Sequence, residues 1–70
     1  MASKIEFGDK KSAFAHVFRA DEGTREFALP ACWVEMYRAG RWVDSRLCTR
    51  RDAIRRAKLF TAGHEAEARR

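Results

Sequence analysis

Apolar and polar residues alternate along the first two-thirds of the chain, and then the period changes. Lys4-Ile5-Glu6-Phe7 alternates as a half-buried strand does. Gly8 to Ser12 has turn chemistry. Ala13 to Arg19 reads as a second strand, with Phe14, His16 and Phe18 on one face and Ala15 and Val17 on the other. Asp21 to Thr24 is another turn, and Arg25 to Leu29 a third short strand. Pro30 ends it or places it at an edge, because proline cannot donate to the ladder. Cys32 to Tyr37 and Trp42 to Cys48 are the clearest strands, and Arg38-Ala39-Gly40-Arg41 between them reads as a hairpin turn. A two-residue loop of the favoured mirror-image type needs positive φ at both positions. Ala-Gly fits that poorly, so a four-residue loop ending on Gly40 is expected. An even-length loop collects Cys32, Val34, Met36, Val43 and Leu47 on one face, and Trp33, Glu35, Tyr37, Trp42, Asp44 and Arg46 on the other.

The period then becomes helical. Thr49 is a good N-cap, with Asp52 in the position of a capping-box acid. Ala53, Ile54, Ala57 and Phe60 make one apolar stripe, and Gly63 is the stop. Arg51, Arg55 and Lys58 lie together on the opposite side. Leu59 falls in the middle of the polar face, where it covers another strand or touches a partner. The segment His64 to Arg70 is a polar tail expected to fray. The predicted architecture is α+β: an antiparallel sheet of four or five strands with one C-terminal helix packed on one face. It forms a single domain over residues 1–63, followed by the tail 64–70.

Seventy residues with 46% apolar side chains, including five Phe, two Trp and one Tyr, suit one globular domain and little more. No run approaches the roughly 18 apolar residues that span a bilayer. The N-terminus lacks the apolar stretch of a secretory signal. The expected location is the cytoplasm. Cys32 and Cys48 have no CxxC spacing. In the even-loop register their sulfurs point to opposite faces, which predicts two reduced thiols. An odd-length loop would let them approach.

Charge changes the picture. From Arg38 to Lys58 eight basic residues stand against two acids, a net +6 in 21 residues, while the rest of the chain nets −1. The formal charge of +5 therefore comes from one stretch, and a field so concentrated attracts polyanions or an acidic protein face. Arginine outnumbers lysine there by seven to one, and its planar fork suits phosphate or carboxylate.

The chain has no HExxH, Cys/His cluster, P-loop or dinucleotide turn. His16, between two phenylalanines on a strand, reads as a structural histidine. Glu35 and Asp44, facing each other across the hairpin, would be the only carboxylate pair for acid–base work, and a sheet with one helix offers little cleft. The expectation is a protein that is not an enzyme and takes no cofactor or metal.

The candidate binding surface is therefore the basic, aromatic hairpin–helix unit: Arg38, Arg41, Arg46, Arg50, Arg51, Arg55, Arg56 and Lys58, with Trp33, Tyr37 and Trp42. On the sheet face turned away from the helix, the three rings and Arg46 would stack bases and hold phosphates. Otherwise the N-terminal strands or a second copy of the chain cover them, and the arginines are a solvated face.

Trp33 to Tyr37, Gly40, Trp42 to Cys48, then Thr49-x-x-Asp52-Ala53-Ile54-x-x-Ala57 is similar in layout to the AP2-like arm-binding domains of phage integrases. That resemblance covers the second half of the chain and implies a sheet that reads DNA. In type, a small chain with no catalytic motif and one-sided charge resembles the inhibitors phages make against host defence, anti-CRISPR proteins above all. This implies a stoichiometric blocker of a surveillance complex or its DNA path. Three functions are carried forward: a non-catalytic inhibitor docking on a nucleoprotein machine, a direct DNA- or RNA-binding module, and a homodimeric assembly subunit.

Overall fold

The computed structural model describes residues 4–20 and 31–70. The strand expected over Arg25 to Leu29 lies outside them. Four strands, β1 (Lys4–Gly8), β2 (Ala13–Arg19), β3 (Ala31–Arg38) and β4 (Arg41–Thr49), form one antiparallel sheet in the order β1-β2-β3-β4. Two helices follow, α1 (Arg50–Thr61) and the short α2 (Glu65–Arg69). The chain is an α+β protein with its helices packed on one face of the sheet.

The β1–β2 turn is built by Gly8, whose φ of 81° only glycine adopts without strain. Asp9 then fixes the turn. Its carbonyl accepts from Ser12 N at 2.9 Å and its carboxylate from Lys11 N at 3.1 Å. Alternation in β2 and β3 sends Ala15, Val17, Cys32, Val34 and Met36 towards α1, where they meet Ala53, Ala57 and Phe60. Val34, Met36 and Phe60 are wholly buried. Each such side chain contributes about 1.5–3 kcal/mol relative to exposure.

Helix α1 begins and ends where its sequence signals lie. The Thr49 side chain accepts from Asp52 N at 3.2 Å. At the other end Gly63 takes φ of 94°, with Gly63 N donating to Phe60 O at 3.1 Å and His64 N to Leu59 O at 2.9 Å. Those paired bonds are a Schellman stop. Ala53, Ala57 and Phe60 are buried, whereas Ile54 is only partly so. Leu59 packs against the core from the flank.

The structure departs from the sequence reading at three places. The hairpin loop has two residues, since Arg38 pairs with Arg41. Ala39 accepts φ of 53° beside Gly40 at 79°, so the mirror-image turn forms in spite of its alanine. A β-bulge follows. Tyr37 pairs with Trp42, but Met36 pairs with Asp44, leaving Val43 as the extra residue. Beyond it the parity of β4 inverts. Asp44, Arg46 and Cys48 share the helix-facing side with Met36, Val34 and Cys32, while Ser45 and Leu47 join Glu35 and Trp33 on the outer side. The expected placements of Leu47, Asp44, Arg46 and Cys48 are thereby reversed. Third, the expected frayed tail is helical and packed: Ala68 is fully buried, and the segment is tied down by arginines.

Candidate functional site

Two surfaces stand on opposite sides of the sheet. The outer face is laid out in rows across the strands. Phe14, Tyr37 and Trp42 make one aromatic row. Phe18, Trp33 and Leu47 make another. Between them runs the polar row Glu6, His16, Glu35 and Ser45. No described element packs on this face. Phe14 is nevertheless shielded, with its ring under Lys10 Nζ at 5.5 Å and beside His16 and Tyr37. Trp33 and Tyr37 are half-buried. Trp42 is 60% exposed, and its indole N–H donates to Ser45 Oγ at 2.9 Å.

A hydrogen-bonded chain crosses the polar row. Glu35 Oε1 lies 2.8 Å from His16 Nε2 and accepts from the Tyr37 hydroxyl at 3.1 Å. Burial, and then the Glu35 carboxylate, push the Tyr37 hydroxyl above its ordinary range, so it stays a donor. Phe14, His16 and Tyr37 floor an open groove of about 260 Å³ rimmed by Lys4, Glu6 and Lys10. Sequence reasoning missed the hydrogen-bonded chain, because a contact between His16 and Glu35 depends on the register of β2 against β3. The expected pairing of Glu35 with Asp44 does not occur. Glu35 sits opposite Ser45, and Asp44 is on the other face of the sheet.

The eight basic residues divide by environment. Arg38 pairs with Glu65, and its guanidinium lies 5.1 Å from the Phe60 ring centroid. Arg46 has Asp44 at 3.9 Å and donates to the carbonyls of Arg69 and Arg70. Arg56, with only 11% of its side chain exposed, meets Asp52 at 2.7 Å. It also donates to Ala68 O at 2.8 Å and Arg70 O at 3.0 Å. These three arginines clamp the C-terminal segment onto the sheet and α1. Their hydrogen bonds hold Glu65 and Asp52 below the usual carboxylate range, Arg38 having the largest effect on the first and Arg56 on the second. Arg69 adds bonds to Asp44 and Glu65.

The other five face water. Arg55 pairs with Asp52 at 2.9 Å yet keeps 53% of its side chain exposed. Arg41, Arg50, Arg51 and Lys58 are exposed and make no ion pair with another described residue. Arg51, Arg55 and Lys58 follow helical spacing along the outer side of α1, and Arg50 stands at its first turn. Arg41 is not with them, because β4 separates it from Arg50 by roughly 30 Å of extended chain.

The structure thus gathers Arg50, Arg51, Arg55 and Lys58, and gathers Trp33, Tyr37 and Trp42, but sets the two groups on opposite sides. Arg46, expected beside the rings, is on the helix side. A single surface that stacks bases and grips phosphates with these eleven residues does not form.

No family model matches the chain, and neither the curated proteins nor the solved structures gave a match. No helix among the described residues is long and apolar enough to cross a membrane.

Proposed function

We propose that this protein is a non-catalytic binding protein that docks onto a nucleoprotein machine through the outer side of α1. It would act as a stoichiometric blocker of the kind phages deploy against CRISPR surveillance complexes. The observation that supports this reading is the stripe Arg51, Arg55 and Lys58 with Arg50, carried on a helix capped at both ends and anchored by Ala53, Ala57 and Phe60. A helix already fixed in place has no backbone left to order on meeting an acidic or phosphate-bearing face, so the ordering cost is confined to the cationic side chains, about 0.5–1.5 kcal/mol for each one immobilised. The aromatic face offers poor footing for phosphate, because Glu6 and Glu35 lie between its rows and Arg46 is turned away. Direct nucleic-acid binding would therefore rest on the same helix.

The test is expression in bacteria whose CRISPR immunity targets an infecting phage. Plaque formation should be restored by the native chain and not by the R51E/R55E variant, which lowers the formal charge from +5 to +1 while leaving the apolar stripe intact. Restoration by both proteins alike would remove the helix from the mechanism. Failure against every immunity type tried would remove the inhibitor reading. A titration with random-sequence duplex DNA distinguishes the alternative. Four phosphate contacts predict a loss of about 10²-fold in affinity between 50 and 200 mM salt, and a loss of that size would assign the helix to DNA.

A further inference from the structure

The bulge at Val43 has a chemical consequence: it turns Cys48 to the same side of the sheet as Cys32 and sets the two residues directly opposite each other. The hydrogen-bond parity of β3 fixes their spacing. Ala20 N donates to Ala31 O at 3.0 Å and Ser12 O accepts from Ala39 N at 2.7 Å, so odd-numbered residues of β3 bond towards β2. Even-numbered residues, Cys32 among them, bond towards β4. A directly opposed, hydrogen-bonded antiparallel pair has its Cα atoms about 5.5 Å apart, within the span of a disulfide, while its Cβ atoms stand at about 5.5 Å against the roughly 3.5–4.5 Å of a disulfide, so closure must draw the end of β4 towards β3 by about 1 Å. Both cysteines are free thiols. Cys32 is buried and packs in the core, and Cys48 lies half-buried against it, where burial and then Asp52 push its thiol above the ordinary range, so that only a small thiolate fraction is available for attack.

We propose that Cys32 and Cys48 are a cross-strand dithiol, a redox-modification site that closes to an intramolecular disulfide by exchange with a low-molecular-weight disulfide such as glutathione disulfide. Cys48, the more accessible sulfur, attacks as thiolate and forms a mixed disulfide, releasing one glutathione thiolate. Cys32 then attacks the Cys48 sulfur as thiolate, breaking the mixed disulfide and releasing the second glutathione. The protein loses two electrons and two protons, and glutathione disulfide becomes two reduced glutathiones. The new bond closes a loop of 17 residues, from Cys32 to Cys48. It pins the register of β3 and β4 beyond the bulge and ties the sheet to the residue immediately before the Thr49 cap of α1.

The full chain, incubated with glutathione disulfide, is to be examined by intact mass after alkylation under non-reducing conditions and by thermal melting. Three results are expected together: loss of the two thiol hydrogens, no alkylation, and a rise in Tm of roughly 10–20 °C that dithiothreitol reverses. Cys48→Ser should show no rise under the same treatment. If that variant fails to fold, non-reducing peptide mapping of the native chain must still recover the Cys32–Cys48 cross-link. Alkylation of both thiols, a stable glutathione adduct on Cys48, or disulfide-linked dimers would each overturn the proposal.

Discussion

Replacing Arg56 by alanine separates the arginines that build the fold from those that face outwards. The Arg56 guanidinium is almost enclosed, with 11% of the side chain exposed. It holds the Asp52 carboxylate at 2.7 Å and the carbonyls of Ala68 and Arg70 at 2.8 and 3.0 Å. Truncation leaves two carbonyls and part of a carboxylate short of a donor. At about 0.5–1.5 kcal/mol for each carbonyl bond and about 1 kcal/mol for the partly exposed ion pair, the loss is about 2–4 kcal/mol. A 70-residue domain has roughly 4–10 kcal/mol in all, so Arg56→Ala stands near the edge of unfolding. Arg51→Ala, one turn and a residue earlier, loses only exposed contacts and should stay within about 0.5 kcal/mol of the native chain. Urea titration followed by circular dichroism measures both. With a slope near 1 kcal/mol per molar for a chain this size, the Arg56→Ala midpoint falls by about 2 M or more. Equal midpoints for the two variants would show that the clamp on the C-terminal segment contributes nothing, and with it the division of the basic residues into two sets would fall.

Other perturbations follow from the same geometry. Gly8→Ala would bring a Cβ to 2.2 Å from Ala13 O and 2.7 Å from Thr61 Cγ2 at φ of 81°. A loss of about 3 kcal/mol or more is expected. Gly63→Ala, with equally left-handed backbone but nothing within 4 Å, should lose about 1–2 kcal/mol, and equal losses in urea titration would refute the steric argument. Ala39→Asn places a residue that tolerates φ of 53° in the hairpin turn and should stabilise by about 0.5–1 kcal/mol, seen as a Tm higher by about 4 °C. In acid, Asp52 and Glu65 have folded pKa values below their ordinary 3.8 and 4.5. Their stabilisation is complete above those ordinary values and is lost as pH falls through the lowered ones. Tm against pH should therefore show a steep acid limb in the native chain and a flatter one in Asp52→Asn, and superimposable limbs would contradict the assignment.

Much of the fold is legible residue by residue. Thr49 and Gly63 bracket α1 because a cap needs only a side-chain oxygen or a left-handed backbone, both local properties. Phe14, His16 and Phe18 share a face of β2 because alternation within one strand is fixed by the pleat. The candidate site is less legible. Counting charge places eight cations in one stretch, but whether a guanidinium is spent inside the protein depends on what comes to meet it. For Arg46 and Arg56 those partners are backbone carbonyls at the chain's end, which carry no sequence signal. The tail itself looked free because its alanines and charges are weakly apolar, and only the seat offered to Ala68 beside α1 makes it fold.

The order of strands and helix, the caps, and the alternation inside each strand were set by the sequence alone, because each depends on neighbours within a few residues. The relation of one strand to the next was not. One extra residue at Val43 inverts every side chain after it, and nothing in the period of β4 marks where the ladder skips. The tertiary structure decided that Leu47 would join Trp33, that Asp44 and Arg46 would reach the C-terminal segment, and that Cys48 would meet Cys32. Burial and pairing are satisfied across strands, and the chain can meet those demands only once it is assembled.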